Sequence, residues 1–289
     1  MEKKMEVSII VPAYNEEDGI AGVIKELNDA MGPSGHTYEI VVVDDGSEDS
    51  TVEKARQAGA KVIEHLVNRG YGQSILTGME NSQYDLIATM DADSSYSAHD
   101  LVRILPQAQK FSMVIGQRTG KEYRGRLFKY PARIAFRFLA EYISGVSIPD
   151  INSGQRIFRK SVYNLLPKSH ECKGFSFSTT TTLLFLAAGY SARFMPVEYR
   201  HRSGASKINY FRDTLRALQI LLEIGIHFNP LKLILPMCAV PLVLAGGFAA
   251  AYLSTCNPLW FTSGLISLYT TGLIFGIGMI LLQIKVSGD

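Results

Sequence analysis

DLIATMDADSS, residues 85–95, is the stretch that decides the fold. Residues 86–90 form a short apolar run of the kind found in a fully buried strand, and it stops at Asp91-Ala92-Asp93. In extended chain the Cβ atoms at i and i+2 point the same way, so Asp91 and Asp93 can present two carboxylates to one point. Two hard oxygen donors suit a Mg²⁺ or Mn²⁺ ion whose other positions go to phosphate oxygens. A D-x-D pair by itself is equally a solvated turn. The strand before it, and a second pair Asp44-Asp45 ending another strand, turn the reading toward a phosphorylated ligand.

Outward from that strand, the chain alternates strand and helix patterns. Residues 7–11, 39–43 and 113–116 are largely apolar runs of strand type, and residues 61–65 also read as strand. Between them, residues 17–31, 51–58, 71–81 and 101–109 read as helices; in the first, Ile20, Val23, Ile24 and Leu27 recur at helical spacing. Continuous apolar strands separated by amphipathic helices predict an α/β domain with a mainly parallel sheet covered on both faces. Such sheets bind ligands at the carboxyl ends of their strands. There lie Tyr14-Asn15-Glu16, Asp44-Asp45, Asp91-Ala92-Asp93 and Gln117-Arg118. Neither G-x-G-x-x-G nor G-x-x-x-x-G-K-[ST] occurs, which argues against a dinucleotide or P-loop site.

The carboxyl-terminal end is different in kind. Only Lys232, Lys285 and Asp289 are charged after Pro230. Residues 231–253 and 259–284 each exceed the roughly 20 apolar residues needed to cross a bilayer. The turn between them, Ser254 to Pro258, is short and uncharged, so the two spans predict a membrane hairpin. Lys207, Arg212, Arg216 and Lys285 on its flanks place the bulk of the protein on the cytoplasmic side as an integral membrane protein. Met1 to Glu6 leads straight into a strand, and no secretory leader is expected. Gly272 and Gly276 make a small-xxx-small pair that can pack the hairpin or a second copy, which leaves a homo-oligomer open. Residues 210–226 carry Leu215, Leu218, Leu222 and Ile226 on one helical face, broken by Arg212, Asp213, Arg216 and Glu223. That pattern fits a helix lying in the membrane interface, or a surface helix of the soluble domain. The expected organisation is an α/β domain over 1–208, an interface helix over 209–229 and a hairpin over 230–289.

Composition agrees with that division. Hydrophobic residues make up 47% of the 289 and charged residues 19%, below the roughly 25% usual in soluble domains. With 29 basic and 27 acidic residues, no polycationic surface points to nucleic acid. Cys172, Cys238 and Cys256 have neither a disulfide framework nor metal-ligand spacing.

Seven ordered blocks resemble the family-2 glycosyltransferases of the GT-A fold, and among them the polyprenyl-phosphate sugar synthases of the dolichyl-phosphate mannose synthase type. They are VSIIVPAYNEE (7–17), EIVVVDDGSEDST (39–51), NRGYGQSILTGM (68–79), DLIATMDADSS (85–95), VIGQR (114–118), DINSGQRIFRK (150–160) and RSGASKI (202–208). The resemblance implies that Pro12, Tyr14, Glu16, Val43 and Asp45 hold the base and ribose of a nucleotide-sugar donor. It also implies that Asp91, Ala92 and Asp93 serve the donor diphosphate, with Asp91 and Asp93 on a Mg²⁺ or Mn²⁺ ion. Arg118 would meet phosphate charge, and Arg202 and Lys207 would close over the diphosphate. Where many relatives complete the metal site with Gln, this chain has Ser95, a candidate metal ligand that would coordinate weakly or through water. Where many carry a Glu after the G-[FY]-x-F segment, it has Ser178 and four threonines, Thr179 to Thr182. The Q-x-x-R-W motif of processive polymer synthases is missing, since the single tryptophan, Trp260, lies in the second span.

A lipid phosphate acceptor tolerates the missing carboxylate. Its second pKa is near 6, so it is largely a dianion at pH 7 and needs no strong base. The expected reaction is inverting transfer of one sugar from a GDP- or UDP-sugar to a dolichyl or undecaprenyl phosphate. Arg124, Arg126, Lys129 and Arg133 are interleaved with Leu127, Phe128, Tyr130, Ile134, Phe136 and Phe138, a pattern suited to an interface-facing helix or to a solvated helix with a core stripe. Arg133 is the preferred lipid-phosphate contact. The alternatives are a family-2 transferase acting on a glycan, glycolipid or protein, which would want a carboxylate base, and a non-catalytic membrane adaptor, against which Asp91, Asp93 and Arg118 all speak.

Overall fold

The computed structural model describes residues 4–120, 130–167, 176–201 and 210–288. The chain divides into two compact units, 1–220 and 221–289. The first is built on a seven-stranded sheet. Its strands are β1 (Glu6–Ala13), β2 (Thr37–Asp44), β3 (Lys61–Glu64), β4 (Leu86–Thr89), β5 (Met113–Thr119), β6 (Arg156–Arg159) and β7 (Ala192–Glu198), in the order β3-β2-β1-β4-β6-β5-β7. β1 pairs in parallel with β2 and β4, β2 with β3, and β5 with β7, while β6 runs antiparallel to both of its neighbours. The expected mainly parallel sheet is therefore present, with one strand reversed.

The two-residue alternation of the strands decides which helices cover which face. Val7, Ile9 and Val11 of β1 share a buried core with Ile20, Val23, Ile24 and Leu27 of α1 (Ile20–Met31) and Leu101 and Ile104 of α4 (Ala98–Ile104). The intervening Ile10 points the other way, against α3 (Tyr71–Glu80). There the helix comes so close that a Cβ on Gly78 would lie 2.5 Å from the Ile10 side chain. The short helix α2 (Thr51–Gln57) packs beside α1. Further along are α5 (Tyr130–Ser144), α6 (Lys160–Asn164) and α7 (Phe177–Ala187).

Several boundaries differ from the sequence reading. The 101–109 helix is α4 followed by a 3₁₀ turn, Leu105–Gln109, because Pro106 has no N–H for the α pattern. Gln117 and Arg118 lie inside β5 rather than beyond it, because β7 pairs as far as Thr119. β6 and β7 themselves escaped the apolar-run criterion. RIFR has an arginine at each end, and ARFMPVE contains Pro196, which a strand accepts only at an edge or bulge. β7 is that edge.

Helix α8 (Tyr210–Phe228) forms as expected and crosses the boundary between the units. The second unit contains α9 (Pro230–Thr255) and α10 (Pro258–Gly288), a helical hairpin. Residues Pro230–Thr255 and Pro258–Gln283 each have mean hydropathy 2.1 and 26 residues, so each is long and apolar enough to cross a membrane. At 1.5 Å per residue such a helix spans about 39 Å, against roughly 30 Å of hydrocarbon. Most of their side chains face outward, as lipid-facing residues would. Gly272 and Gly276, expected to pack, face open space. The close approach is at Gly278 instead, where a Cβ would meet Ile234 at 2.6 Å. Near the turn Phe248 stacks on Trp260 with ring centroids 5.8 Å apart.

Candidate active site

The carboxylates of Asp91 and Asp93 emerge at the carboxyl end of β4, and Tyr71 and Ser95 hold them. Tyr71, at the start of α3, donates its hydroxyl to Asp91 Oδ1 at 3.0 Å. Burial pushes the Tyr71 hydroxyl well above its ordinary pKa, and the neighbouring Asp91 charge pushes it further, so it stays a neutral donor. Asp93 is buried, and its Oδ1 accepts from the Ser95 amide at 3.1 Å and the Ser95 hydroxyl at 2.5 Å. Ser95 thus orients Asp93, while its carbonyl accepts from the Arg200 amide. Ser94 between them has φ +61°, left-handed backbone that a non-glycine residue adopts only where its surroundings insist.

Glycines let the backbone pack closely against this turn. A Cβ on Gly154 would lie 2.5 Å from both Asp91 carboxylate oxygens, and one on Gly19 would lie 2.7 Å from the Ala92 carbonyl oxygen. Gly154 is fixed on both sides. Its amide donates to the Tyr96 hydroxyl at 2.8 Å, and its carbonyl accepts from Thr89 Oγ1 at 2.6 Å. Tyr96 is fully buried, and that burial raises its hydroxyl pKa well above the ordinary value.

Beside this loop, Arg118 makes a bidentate pair with Asp150. Its Nε and Nη2 each lie 2.8 Å from a carboxylate oxygen, and its amide donates to the same group at 3.0 Å. The arginine also lies over the Tyr199 ring at 5.4 Å. Arg118 is thereby positioned at the strand end, with much of its charge already balanced. Arg156 of β6 is fully buried and hydrogen-bonds the carbonyls of Ser153 and Ser178 and the Thr182 hydroxyl. Burial lowers its pKa, a shift opposed by Tyr71, Tyr96, Asp150 and Asp91 around it. In α7, Thr180, Thr181 and Thr182 bond carbonyls one turn back, whereas Thr179 donates to the Asn152 side chain.

A cleft of about 530 Å³ opens over the ends of β1, β2 and β3, lined among others by Tyr14, Asp44, Ser47, Glu48, His65, Leu66, Val67 and Asn68. Of the residues expected to meet base and ribose, Tyr14 lines it. Pro12 and Val43 are paired in the sheet beneath, and the Glu16 amide donates to Thr51 Oγ1 at 2.9 Å, tying the β1 loop to α2. Of the Asp44-Asp45 pair, Asp44 lines the cleft, held by the Gly46 and Ser47 amides. Asp45 turns inward, accepting from the amides of Arg69 and Gly70 at 2.9 and 2.8 Å and lying 2.7 Å from His65 Nδ1.

Arg202 and Lys207 lie outside the described residues, as do Arg124, Arg126 and Lys129. Arg133 is on α5, but its side chain also lies outside the described ones. Among the described residues no cluster of three or more His, Cys, Asp or Glu side chains could hold a metal. Asp91 and Asp93 remain as a two-carboxylate donor set.

Residues 8–166 match the family described as Glycosyl transferase family 2. The chain belongs to that family. A relative named undecaprenyl-phosphate 4-deoxy-4-formamido-L-arabinose transferase, from Edwardsiella ictaluri, is 28% identical over 281 residues, covering 93% of this chain and 83% of the relative. One of the same name from Salmonella typhimurium is 28% identical over 275 residues, covering 91% and 81%. The fold matches glucosyl-3-phosphoglycerate synthase from Mycobacterium tuberculosis in complex with Mn²⁺, uridine diphosphate and phosphoglyceric acid, with TM-score 0.64, 17% identity, and 76% and 78% of the two chains covered. It also matches mannosyl-3-phosphoglycerate synthase from Rubrobacter xylanophilus, with TM-score 0.61, 18% identity and coverage of 76% and 72%. Within this family 2 transferase, Tyr71, Tyr96, Asp150 and Gly154 were not assigned roles from the sequence. Three of them stood in plain view inside blocks 68–79 and 150–160, and Tyr96 one residue past block 85–95, but nothing in their spacing says that they meet around Asp91.

Proposed function

We propose that the protein transfers a single sugar from a nucleotide-sugar to a polyprenyl phosphate at the membrane, with inversion at the anomeric carbon. One observation carries the reading. A metal-type carboxylate pair ends a buried strand in a family 2 transferase whose same chain holds two helices long and apolar enough to cross a bilayer. The relatives named as undecaprenyl-phosphate sugar transferases support that acceptor class. The basic flanks of the hairpin support a catalytic domain on the cytoplasmic side, and the outward Leu215, Leu218, Leu222 and Ile226 of α8 support contact with the interface.

Asp91 and Asp93 fit a Mg²⁺ or Mn²⁺ ion. Both are hard oxygen donors two residues apart at the end of β4, and such ions are held by one or two carboxylates plus phosphates and water. Mn²⁺ with uridine diphosphate in the mycobacterial neighbour supports the same assignment. When bound, the ion neutralises charge developing on the diphosphate leaving group. Tyr71 and Ser95 keep the two carboxylates aimed, so little reorganisation is needed when that charge appears. Arg118, held by Asp150, Arg202 and Lys207 supply cationic groups toward the phosphates, and Arg133 toward the acceptor phosphate. The buried hydroxyls of α7 offer no carboxylate base, and a phosphate dianion does not require one.

Membranes containing the protein, given radiolabelled UDP- and GDP-sugars with and without EDTA, should place label in organic-extractable lipid only when metal is present. Label appearing on protein or soluble glycan alone would refute the acceptor, and transfer in EDTA would refute the role of Asp91 and Asp93. An α-linked donor should give a β-linked product by NMR.

A further inference from the structure

The pair that Arg118 makes with Asp150 fixes the guanidinium only in part. Two parallel bonds hold the fork in its own plane, but that plane can still rock about the line joining it to the carboxylate. A cation that is to meet a phosphate oxygen in one place has to be stopped from rocking. Tyr199 lies where it can do this: the Arg118 guanidinium carbon stands over its ring, 5.4 Å from the centroid. The Arg118 side chain is only 17% exposed, so the contact is made largely out of water, where cation–π attraction is strongest.

The ring is a fixed shelf because its backbone is held from two sides. Tyr199 follows β7, and its amide donates to the Thr119 carbonyl at 3.2 Å, just beyond the last paired residues of β5 and β7. On the other side Tyr199 forms an antiparallel bridge with Tyr96, and the next amide, that of Arg200, donates to the Ser95 carbonyl at 2.9 Å. The Arg200 side chain turns to Glu26 of α1, 3.2 Å away, and anchors the segment there. The end of β5 and the turn at 91–95 therefore meet at this one residue. The Tyr199 ring also packs edge-on to Tyr96, with centroids 5.4 Å apart and planes 72° apart, and the Tyr96 hydroxyl takes the Gly154 amide beside Asp91. Burial raises the pKa of the Tyr199 hydroxyl; Arg118 opposes that shift while Asp93 and Asp91 add to it, so three charged groups of the site bear on one side chain. We infer that Tyr199 is a positioning residue, whose ring face sets where the Arg118 guanidinium stands relative to Asp91 and Asp93. This rests on the reading of Arg118 as a cation that faces phosphate, and adds to it the group that aims it.

A double-mutant cycle on the full-length protein in membranes tests it. Tyr199→Leu, Arg118→Gln and the double variant are compared by kcat/KM for the radiolabelled nucleotide-sugar donor, with a thermal melt of each. Tyr199→Leu should lower kcat/KM about tenfold, equivalent to 1.4 kcal/mol. Tyr199→Phe keeps the ring face and should stay within about twofold of wild type. Because Tyr199 acts through Arg118, the double variant should be no slower than Arg118→Gln alone. Tyr199→Met, which keeps bulk without a ring face, gives the same comparison if the leucine variant melts early. Losses that multiply in the double variant would overturn the assignment and make Tyr199 a structural residue independent of Arg118. A phenylalanine variant as slow as the leucine variant would also overturn it, since the hydroxyl would then carry the effect. Wild-type transfer by Arg118→Gln would overturn the phosphate-facing reading of Arg118, and this inference with it.

Discussion

Replacing Gly154 by alanine should disable the metal site while leaving the fold standing. The new methyl group would sit 2.5 Å from each Asp91 carboxylate oxygen and 2.7 Å from the carboxyl carbon. To recover ordinary van der Waals contact the carboxylate must retreat by about 1 Å, a misplacement that can cost on the order of 100-fold in rate. The carboxylate gives way rather than the backbone, because Asp91 is only half-buried, whereas Gly154 is held by Tyr96 and Thr89 through its own amide and carbonyl. The cost in stability is then about one strained hydrogen bond, roughly 1 kcal/mol, or about 2–4 °C in Tm for a domain of this size. The assay is label transfer into extractable lipid across a Mn²⁺ titration, with a thermal melt of the same preparation. Turnover should fall about 100-fold, and the metal concentration at half-activity should rise. Wild-type turnover with an unchanged metal midpoint would refute the reasoning. So would a melt lowered by more than about 10 °C, because the backbone would then have moved instead.

Two further tests probe the supports of the site. Asp150→Asn leaves the largely buried Arg118 guanidinium without its carboxylate and should destabilise the protein by about 3–5 kcal/mol in chemical denaturation; a loss below 1 kcal/mol would mean that Arg118 finds another partner at no cost. Burial raises the pKa of both Tyr71 and Tyr96 above the unfolded value of 10.0, so the native state keeps protons that the unfolded chain releases. Their contribution to stability is complete below pH 10 and declines as pH rises beyond it. Absorbance near 295 nm should therefore show these tyrosines ionising only as the protein unfolds, and Tyr71→Phe with Tyr96→Phe should flatten that alkaline decline.

The sequence determined a good deal of this. Apolar runs of five residues between amphipathic segments require a sheet covered on both faces, since neither face could be left in water. An uncharged stretch of more than twenty residues, repeated after a short turn, specifies the helical hairpin by length and polarity alone. The Asp91-Ala92-Asp93 turn was legible for a similar local reason, since i and i+2 share a side in extended chain.

What the sequence could not determine was every contact between residues distant along the chain. The β6 strand carries a buried arginine and the β7 strand a proline, and only a sheet edge and a set of waiting carbonyls make those residues acceptable. Asp44 and Asp45 are chemically identical neighbours. Strand alternation turns one to the cleft and the other to His65, and the register that decides which is set by Ala13 pairing with Asp44. Gly272 and Gly276 read as a packing pair for the hairpin or a second copy; within the hairpin it is Gly278 that meets Ile234, because helix rotation depends on the whole interface. Gly154 and Tyr71 reach Asp91 from 63 residues downstream and 20 upstream. Local pattern fixes which groups a strand or helix can offer, and the packing of those elements decides which of them meet.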